Sequence, residues 1–355
     1  MAAAREVGYS VGGSAPPTTG ERFFIQSSEN AAMLPSLRAI LTEIVDYAGL
    51  FPPAGLELEP AVRNFADYRT HAQSWMLSRF ICPAGKLAAL SEFADELFLV
   101  DTPFRFSVLG RGGDNRESFC ANLREDFAAA ENFRDRHGAR VSIDAFEVKL
   151  PADWAGSNTT GQFFRRVSQV ATDAGRRIGP RFFEISLDGN WRDHTARVVE
   201  HLADFNSDTE RSQQTPAGVK LRCGGVKAAA FPTCEQVATV IELCRDATIP
   251  LKFTAGLHHP IRHHSADVHT QMHGFINVFL AGVLAYSLGL EHHDIRAIVE
   301  EEDPNAFSFS DDFLGWHDAE ATISEIHYAR KHRVISFGSC SFEEPWRDLK
   351  RLGWL

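Results

Sequence analysis

Eight short apolar or alternating segments, separated for the most part by longer stretches with helical spacing, constrain the fold of this 355-residue chain more than any other feature. Such alternation is typical of strand–helix units that build a parallel sheet. Eight strands in one run favour a closed (β/α)8 barrel, or TIM barrel, over the structural alternative of an open doubly wound sheet. The predicted strands are Glu43–Ala48, Ser78–Cys82, Arg105–Leu109, Ala145–Leu150, Arg181–Leu187, Gly218–Arg222, Pro250–Thr254 and Arg333–Gly338.

The stretches between the strands predict helices and one large insertion. The connection between the seventh and eighth strands is much longer than the others, so we expect a long helical insertion there. Its most apolar stretch, Phe275–Leu290, is too short to span a bilayer and suits a buried helix, so no membrane partner is expected. The other clear helices are Lys86–Leu97, Glu117–Arg136, Gln162–Arg176, His194–Phe205 and Cys234–Asp246.

Composition sets the domain organisation and excludes several functions. Residues 1–28 are rich in Ala, Gly, Ser, Thr and Pro and lack an apolar core, so we expect a disordered leader rather than a secretory signal. Residues 29–355 then form one catalytic barrel domain. The net charge of -11, with no basic stripe, argues against a nucleic-acid partner. Six cysteines without a CxxC pair indicate reduced thiols in a cytoplasmic protein, and the oligomeric state stays open.

Charged side chains share one face on each of four neighbouring predicted strands. Side chains alternate between faces along a strand, and the outer face of a barrel strand packs on the ring of helices. The apolar set should therefore point outward and the charged set into the barrel. The inward set is Glu147 and Lys149, then Glu184, Ser186 and Asp188, then Lys220 and Arg222, and finally Lys252 and Thr254.

Inward charges on neighbouring strands have two interpretations. Buried charge is costly unless it is paired, so the cluster is either an active site or a structural ion-pair network. Burial and nearby cations lower the pKa of a lysine, and a neutral lysine attacks carbonyl groups to form a Schiff base. We therefore expect a depressed pKa at Lys220, which lies beside Arg222 and Lys252. If Lys220 is instead fully paired to Glu147 or Glu184, its pKa is raised.

Five short motifs at or near the predicted strands form a further pattern. In chain order they are Val45-Asp46-Tyr47, Asp144-Ala145-Phe146-Glu147-Val148, Lys220-Leu221-Arg222-Cys223-Gly224-Gly225, Lys252-Phe253-Thr254-Ala255-Gly256 and Phe337-Gly338-Ser339. Taken in this order they resemble the deoxyribose-phosphate aldolase family of class I aldolases. They resemble in turn that family's first-strand aspartate, its strand-four acidic motif, its strand-six lysine followed by glycine, its strand-seven lysine and its last-strand Gly-Ser phosphate site.

The resemblance implies catalytic roles for three residues. It implies that Lys220 forms the Schiff base, that Lys252 tunes it and that Glu147 shuttles protons. Because Arg222 and Cys223 replace small hydroxyl-bearing residues of the family, the small-molecule substrate and its phosphate group stay open. The candidate substrate-binding residues are Asp46, Lys149, Glu184, Arg222, Gly224, Gly225, Gly256, His258, His259, Gly338 and Ser339.

Six histidines between His258 and His273 offer a second kind of chemistry. His258 and His259 directly follow the seventh strand, at the end where barrel enzymes place their sites, so we expect both to line the pocket. His269 and His273 would share a face if they lay on a helix, and could then bind a divalent metal such as zinc.

Three hypotheses follow from these features. The leading one is a lyase that forms a lysine Schiff base with a small carbonyl or sugar-like substrate and needs no cofactor. The second is a metal-dependent barrel hydrolase or isomerase that uses the histidines together with Glu147, Glu184 or Asp188. The third is a non-catalytic barrel that binds a small ligand.

Overall fold

Eight parallel strands close into a barrel in a computed structural model that describes residues 33–156, 160–173, 179–212 and 215–355. Each of the first seven strands pairs with its neighbour in sequence, and the last closes the barrel between the seventh and the first. The predicted TIM barrel is confirmed, and the open doubly wound sheet is wrong. The barrel strands are β1 (Val45–Tyr47), β2 (Leu77–Pro83), β3 (Phe104–Leu109), β4 (Val141–Lys149), β5 (Arg181–Glu184), β6 (Ala217–Arg222), β7 (Leu251–Thr254) and β13 (Val334–Ser339).

Among the described residues, seven α-helices precede β7. The longest of them with a described cap follows the N-cap residue Asn115, whose side chain accepts a hydrogen bond from the backbone N–H of Ser118. Its C-cap residue is Gly138, where φ is +59°. The predicted leader, residues 1–28, lies outside the described residues. The helices are α1 (Pro35–Leu41), α2 (Leu58–Tyr68), α3 (Ala94–Leu97), α4 (Arg116–His137), α5 (Thr160–Asp173), α6 (Trp191–Ser212) and α7 (Cys234–Asp246).

The helix predicted for Lys86–Leu97 is mostly wrong. Only its last four residues, α3, are α-helical, and 3₁₀ turns cover Ala84–Lys86 and Ala88–Phe93. The buried side chains of this segment, Ala84, Leu87 and Leu90, recur every three residues. That period matches the three residues per turn of a 3₁₀ helix and keeps one face against the barrel.

The insertion between β7 and β13 contains more than the predicted helices. It begins with an antiparallel hairpin, continues through two helices into a three-stranded antiparallel sheet and ends with a helix. The helical insertion is therefore present, but its sheets were missed because their strands are only three or four residues long. Its elements are β8 (His263–Ser265), β9 (Thr270–Met272), α8 (Phe275–Leu288), α9 (His292–Glu300), β10 (Phe307–Phe309), β11 (Phe313–Trp316), β12 (Ala319–Thr322) and α10 (Ile323–His332), and α11 (Glu343–Arg351) follows β13.

Helix α8 is apolar on every side and is accordingly buried from Phe275 to Ala285. Its one amide, Asn277, is fully buried and anchors the insertion. The side chain accepts a hydrogen bond from the backbone N–H of Arg262 at 2.9 Å and donates to the carbonyls of Ile298 at 2.9 Å and Glu301 at 2.7 Å. These bonds fix the start of the β8–β9 hairpin relative to α8 and α9.

Within the described residues, no helix combines the length and the apolar character needed to cross a membrane.

Aromatic contacts show which face of each strand points outward. Phe146 of β4 packs on Phe127 of α4, with ring centroids 4.5 Å apart. Phe253 of β7 packs on Phe279 of α8 at 5.3 Å. The residues that alternate with these aromatics therefore point into the barrel, and they include Glu147 of β4 and Lys252 of β7.

Candidate active site

Seven ionisable side chains form a chain of alternating charge across the inside of the barrel. Each internal member contacts an opposite charge on both sides, which is how a barrel interior accommodates so many ions. These side chains belong to six of the eight barrel strands, namely β1, β2, β4, β5, β6 and β7. In order, its members are Arg79, Asp46, Lys252, Glu147, Lys220, Glu184 and Arg222.

Glu147 on β4 is the centre of this chain and is fully buried. One carboxylate oxygen lies 3.0 Å from the Nζ of Lys252, and the other lies 2.8 Å from the Nζ of Lys220. The hydroxyl of Ser107 on β3 donates a hydrogen bond of 2.5 Å to the first oxygen. Glu147 thus couples the two lysines that occupy paired positions on β6 and β7.

The Asp46 end of the chain lies deepest in the barrel. Asp46 is fully buried, lies 3.3 Å from the guanidinium of Arg79 and makes a close ion pair with Lys252. The hydroxyl of Ser336 on β13 donates to the same carboxylate at 2.6 Å. Although burial alone would raise the pKa of Asp46, Lys252 and Arg79 hold it below its ordinary value.

Glu184 and Arg222 form the other end of this series of ion pairs, near the opening at the carboxyl ends of the strands. Glu184 lies 3.0 Å from the Nζ of Lys220 and 3.3 Å from the Nε of Arg222. Glu184 is 8% exposed in its side chain, whereas Arg222 is 49% exposed. Burial opposes the charge on Glu184, but Lys220 and Arg222 lower its pKa all the same.

Lys220 does not have the depressed pKa that the sequence predicts. Burial disfavours its ammonium form, but the carboxylates of Glu147 and Glu184 outweigh burial and raise the pKa of Lys220. The prediction was wrong because the neighbouring cations, Lys252 and Arg222, are themselves bonded to carboxylates. The same pairing lowers the pKa of Glu147 well below its ordinary value, against the effect of burial.

A cavity of about 250 Å³ opens above this chain at the carboxyl ends of the strands, and we call it the inner cavity. Lys220 reaches it with a 5% exposed side chain, whereas Lys252 is fully buried beneath. Of the two lysines, Lys220 is therefore the one that a ligand can reach. The lining residues are Ala48, Phe51, Pro52, Pro53, Ile81, Leu109, Glu147, Lys220, Arg222, Gly225, Val226, Thr254, Ala255, Gly256, His258, Gly338 and Cys340.

A second cavity of about 540 Å³, which we call the outer cavity, adjoins the first. The two share part of their lining, including Gly225, Gly256 and His258. The β8–β9 hairpin contributes Ser265 and Met272 to its wall. The insertion after β7 therefore extends the site away from the charged floor.

The two histidines after β7 each pair with a carboxylate of α11. The Nδ1 of His258 lies 2.8 Å from Glu344, and the Nδ1 of His259 hydrogen-bonds Asp348. His258 lines both cavities, whereas His259 lines only the outer one.

The metal-binding arrangement expected of His269 and His273 is wrong. The segment is a β-hairpin rather than a helix, and His269 lies at its turn with φ at +53°. His273 is buried, and its Nε2 lies 2.7 Å from the carbonyl oxygen of Pro232. Burial lowers the pKa of His273 to about 4. In the part of the chain that the structure describes, no three His, Cys, Asp or Glu side chains are grouped as metal ligands.

Several residues predicted to bind substrate line neither cavity. Lys149 is exposed at the end of β4, and Ser339 is buried beside β1. Asp46 and Glu184 bond protein cations, as described above. Ser186 and Asp188 were predicted to point into the barrel, but β5 ends at Glu184 and both are exposed in the loop beyond it.

Three polar residues of the barrel interior were missed, namely Arg79, Ser107 and Ser336. Each alternates with outward-facing residues on β2, β3 or β13 in the same way as the charges of β4, β6 and β7. Applying the alternation rule to the first three strands and the last would have identified them.

Gly224 and Gly256 allow the loops after β6 and β7 to come into close contact. A Cβ added to Gly256 would lie 2.7 Å from the Cα of Gly224, and a Cβ on Gly224 would lie 2.5 Å from the ring of Phe231. Gly256 also has a positive φ of +72°.

Gly256→Ala should therefore destabilise the protein by clearly more than Gly189→Ala. Gly189 has a similar φ of +57° but open space where a Cβ would be, so it reports the backbone strain alone, about 1–2 kcal/mol. Urea unfolding of the two variants measures the difference. Equal losses of stability would show that the contact between the loops contributes nothing.

Comparison with known proteins does not assign this chain to a family. No protein-family model and no curated protein matches the chain. Among solved structures, it is similar to the tetrameric deoxyribose phosphate aldolase from Aeropyrum pernix, with a TM-score of 0.38 and 15% identity. The match covers 63% of this chain and 81% of that one. The barrel assignment therefore rests on the strand topology of this chain itself.

Proposed function

We propose that this protein is an aldolase-like lyase that forms a Schiff base between Lys220 and a small carbonyl substrate. The observation that carries the proposal is the position of Lys220 on the floor of an open cavity, 2.8 Å from a carboxylate that can exchange a proton with it. Glu147 is held in place by Lys252 and Ser107 on its other oxygen. A positioned base within hydrogen-bond distance is the geometry that general acid–base catalysis needs.

The first step follows from these contacts. Lys220 transfers a proton from its ammonium group to Glu147, and the freed amine attacks the carbonyl carbon, so a C–N bond forms as the C=O π pair moves to oxygen. Glu147 returns that proton to the oxygen, which gives a hydroxyl, and then carries a second proton from the nitrogen to the same oxygen. The oxygen leaves as water as the iminium forms, and Glu147 is again a carboxylate. Burial raises the pKa of Glu147, but Lys220 and Lys252 lower it, so a protonated Glu147 readily gives its proton back.

Deprotonation of Lys220 is the demanding part of this scheme, because its pKa is raised. At neutral pH nearly all of Lys220 is the ammonium form, which cannot attack. Adduct formation should therefore accelerate as the pH rises from 7 toward 10, the direction expected for a nucleophile with a high pKa.

Reductive trapping tests the proposal. The protein is incubated with a carbonyl compound (acetaldehyde, glyceraldehyde or pyruvate) and sodium cyanoborohydride, and peptide mass spectrometry locates the reduced adduct. We expect it on Lys220 and expect none there in Lys220→Arg, since a guanidinium stays protonated. Lys227→Arg, which changes an exposed lysine of the loop after β6, is the matched control and should keep the adduct.

Two results would contradict the proposal. One is a folded protein that gives no adduct with any of the three compounds. The other is an adduct whose yield is the same in Lys220→Arg as in the unmodified chain. Either would favour a purely structural role for the charge chain, which also fits its alternating ion pairs.

A further inference from the structure

The chain of alternating charge is unbalanced, and the imbalance lies at the inner cavity. Its four cations against three carboxylates leave one positive charge. At one end Arg79 is 12% exposed in its side chain and lies against Asp46. At the open end Arg222 is 49% exposed and lines the cavity. A ligand with one negative charge would extend the alternation by one member.

Arg222 is placed to receive such a ligand next to Lys220. The two residues are separated by one position on β6, so they point to the same side and lie about 7 Å apart along the strand. Arg222 is held by two long contacts, from Nε to Glu184 at 3.3 Å and from Nη1 to the carbonyl of Gly224 at 3.4 Å. Within the described residues its Nη2 donates no hydrogen bond, and a guanidinium binds a carboxylate with two parallel bonds.

We infer that the substrate is a small 2-oxo acid, whose carbonyl meets Lys220 while its carboxylate binds Arg222. This inference rests on the proposed function and names its substrate class. In a 2-oxo acid the carbonyl and carboxylate carbons are adjacent, which suits a lysine and an arginine on successive inward positions of one strand. The cavity of about 250 Å³ is small, as such a ligand requires.

The outer cavity argues against a phosphorylated substrate. Helix α11 begins at this cavity, and a helix N-terminus ordinarily attracts phosphate. Here, however, the first turn of α11 contains Glu343 and Glu344, and Glu344 lines the cavity together with Asp267. A hydrogen bond from His258 lowers the pKa of Glu344, so its carboxylate stays charged. A phosphate dianion at this end would meet these carboxylates.

Trapping with matched probes tests the substrate class. Pyruvate, methyl pyruvate and dihydroxyacetone phosphate are each offered at equal concentration with cyanoborohydride, and the initial rate of adduct formation on Lys220 is measured. Methyl pyruvate has the same ketone but no negative charge. The measured quantity is the rate with pyruvate divided by the rate with methyl pyruvate. We expect this ratio to be about tenfold or more higher in the unmodified protein than in Arg222→Met, as loss of a charged, paired contact implies.

The ratio of the pyruvate rate to the methyl pyruvate rate distinguishes loss of carboxylate binding from a general loss of reactivity at Lys220. Arg222→Met also removes a neighbour of Glu184 and can change the reactivity of Lys220, but that change affects both probes equally. Arg222→Lys should retain part of the preference, since the charge stays while the two-bond geometry is lost.

The outcomes are distinguishable. An adduct with an unchanged ratio in Arg222→Met, or fastest trapping with dihydroxyacetone phosphate, overturns the 2-oxo acid inference and leaves the Schiff base in place. No adduct with any of the three probes overturns the proposed function, and the inference falls with it.

Discussion

Glu147→Gln should lower the free energy of unfolding at neutral pH by about 3–5 kcal/mol, the cost of breaking a buried ion pair from one side. Glu147 is fully buried and is the shared partner of Lys220 and Lys252. The amide keeps the shape of the side chain but removes its charge, so two buried ammonium groups lose the same counter-ion.

The pH dependence of this loss has a definite sign. In the unmodified chain the pKa of Lys220 is raised, so the pairing stabilises fully below the ordinary lysine pKa of about 10.4 and is lost as the pH rises through the folded value. In Glu147→Gln burial is less opposed and should lower the pKa of Lys220. Stability of the variant should then increase as the pH rises from 7 toward 10, so the gap between the two proteins narrows.

Urea unfolding at several pH values between 7 and 10 measures both the loss of stability in Glu147→Gln and the change of that loss with pH. Glu125→Gln, which removes a carboxylate with a 70% exposed side chain, is the control and should change stability by less than about 1 kcal/mol. Parallel stability curves for Glu147→Gln and the unmodified chain would show that the carboxylate does not hold Lys220 in its charged form.

Arg330→Met should be the second strongly destabilising change, with a loss of about 3 kcal/mol or more. Arg330 of α10 is buried, and its guanidinium donates to four backbone carbonyls, those of Ile40, Thr42, Val334 and Ile335. These carbonyls join α1 to β13 at the amino-terminal end of the barrel. Methionine fills similar space without donors, and each buried acceptor left unpaired costs about 1–3 kcal/mol.

Arg333→Met supplies the comparison for this prediction. Arg333 follows the same helix and donates to the carbonyl of Thr248 at a site exposed to solvent, so its replacement should cost less than about 1 kcal/mol. Thermal or urea unfolding measures both variants. Similar small losses for the two would contradict a clamping role for Arg330.

The strand pattern predicted the inward lysines because alternation along a strand depends only on local backbone geometry. Lys220 and Lys252 were both identified from four-residue patterns, and both point inward. On β5 the same rule was applied beyond the end of the strand at Glu184, so Ser186 and Asp188 were wrongly predicted to point inward. Where a strand ends depends on its neighbours, and a single sequence does not contain that information.

The charge state of Lys220 could not be predicted for a related reason. Its pKa depends on which carboxylates lie within about 3 Å, and that depends on the register of β4, β5 and β6. Counting cations nearby gave the wrong direction. The histidine spacing failed differently, because the separation of His269 and His273 indicates a shared face only on a helix, whereas the segment folds as a hairpin.

The position of β13 also determines when the barrel interior can form during synthesis. This strand pairs with both β1 and β7, and its Ser336 donates to Asp46, which lies 290 positions earlier. Until residues 334–339 leave the ribosome, β1 and β7 have unpaired edges and their buried charges face water. The insertion places about 80 residues between β7 and β13, so the decisive contacts are among the most distant in sequence, which slows folding. A nascent chain stalled within the insertion would therefore expose unpaired strand edges, which can pair with other chains and aggregate, and it would depend on chaperones.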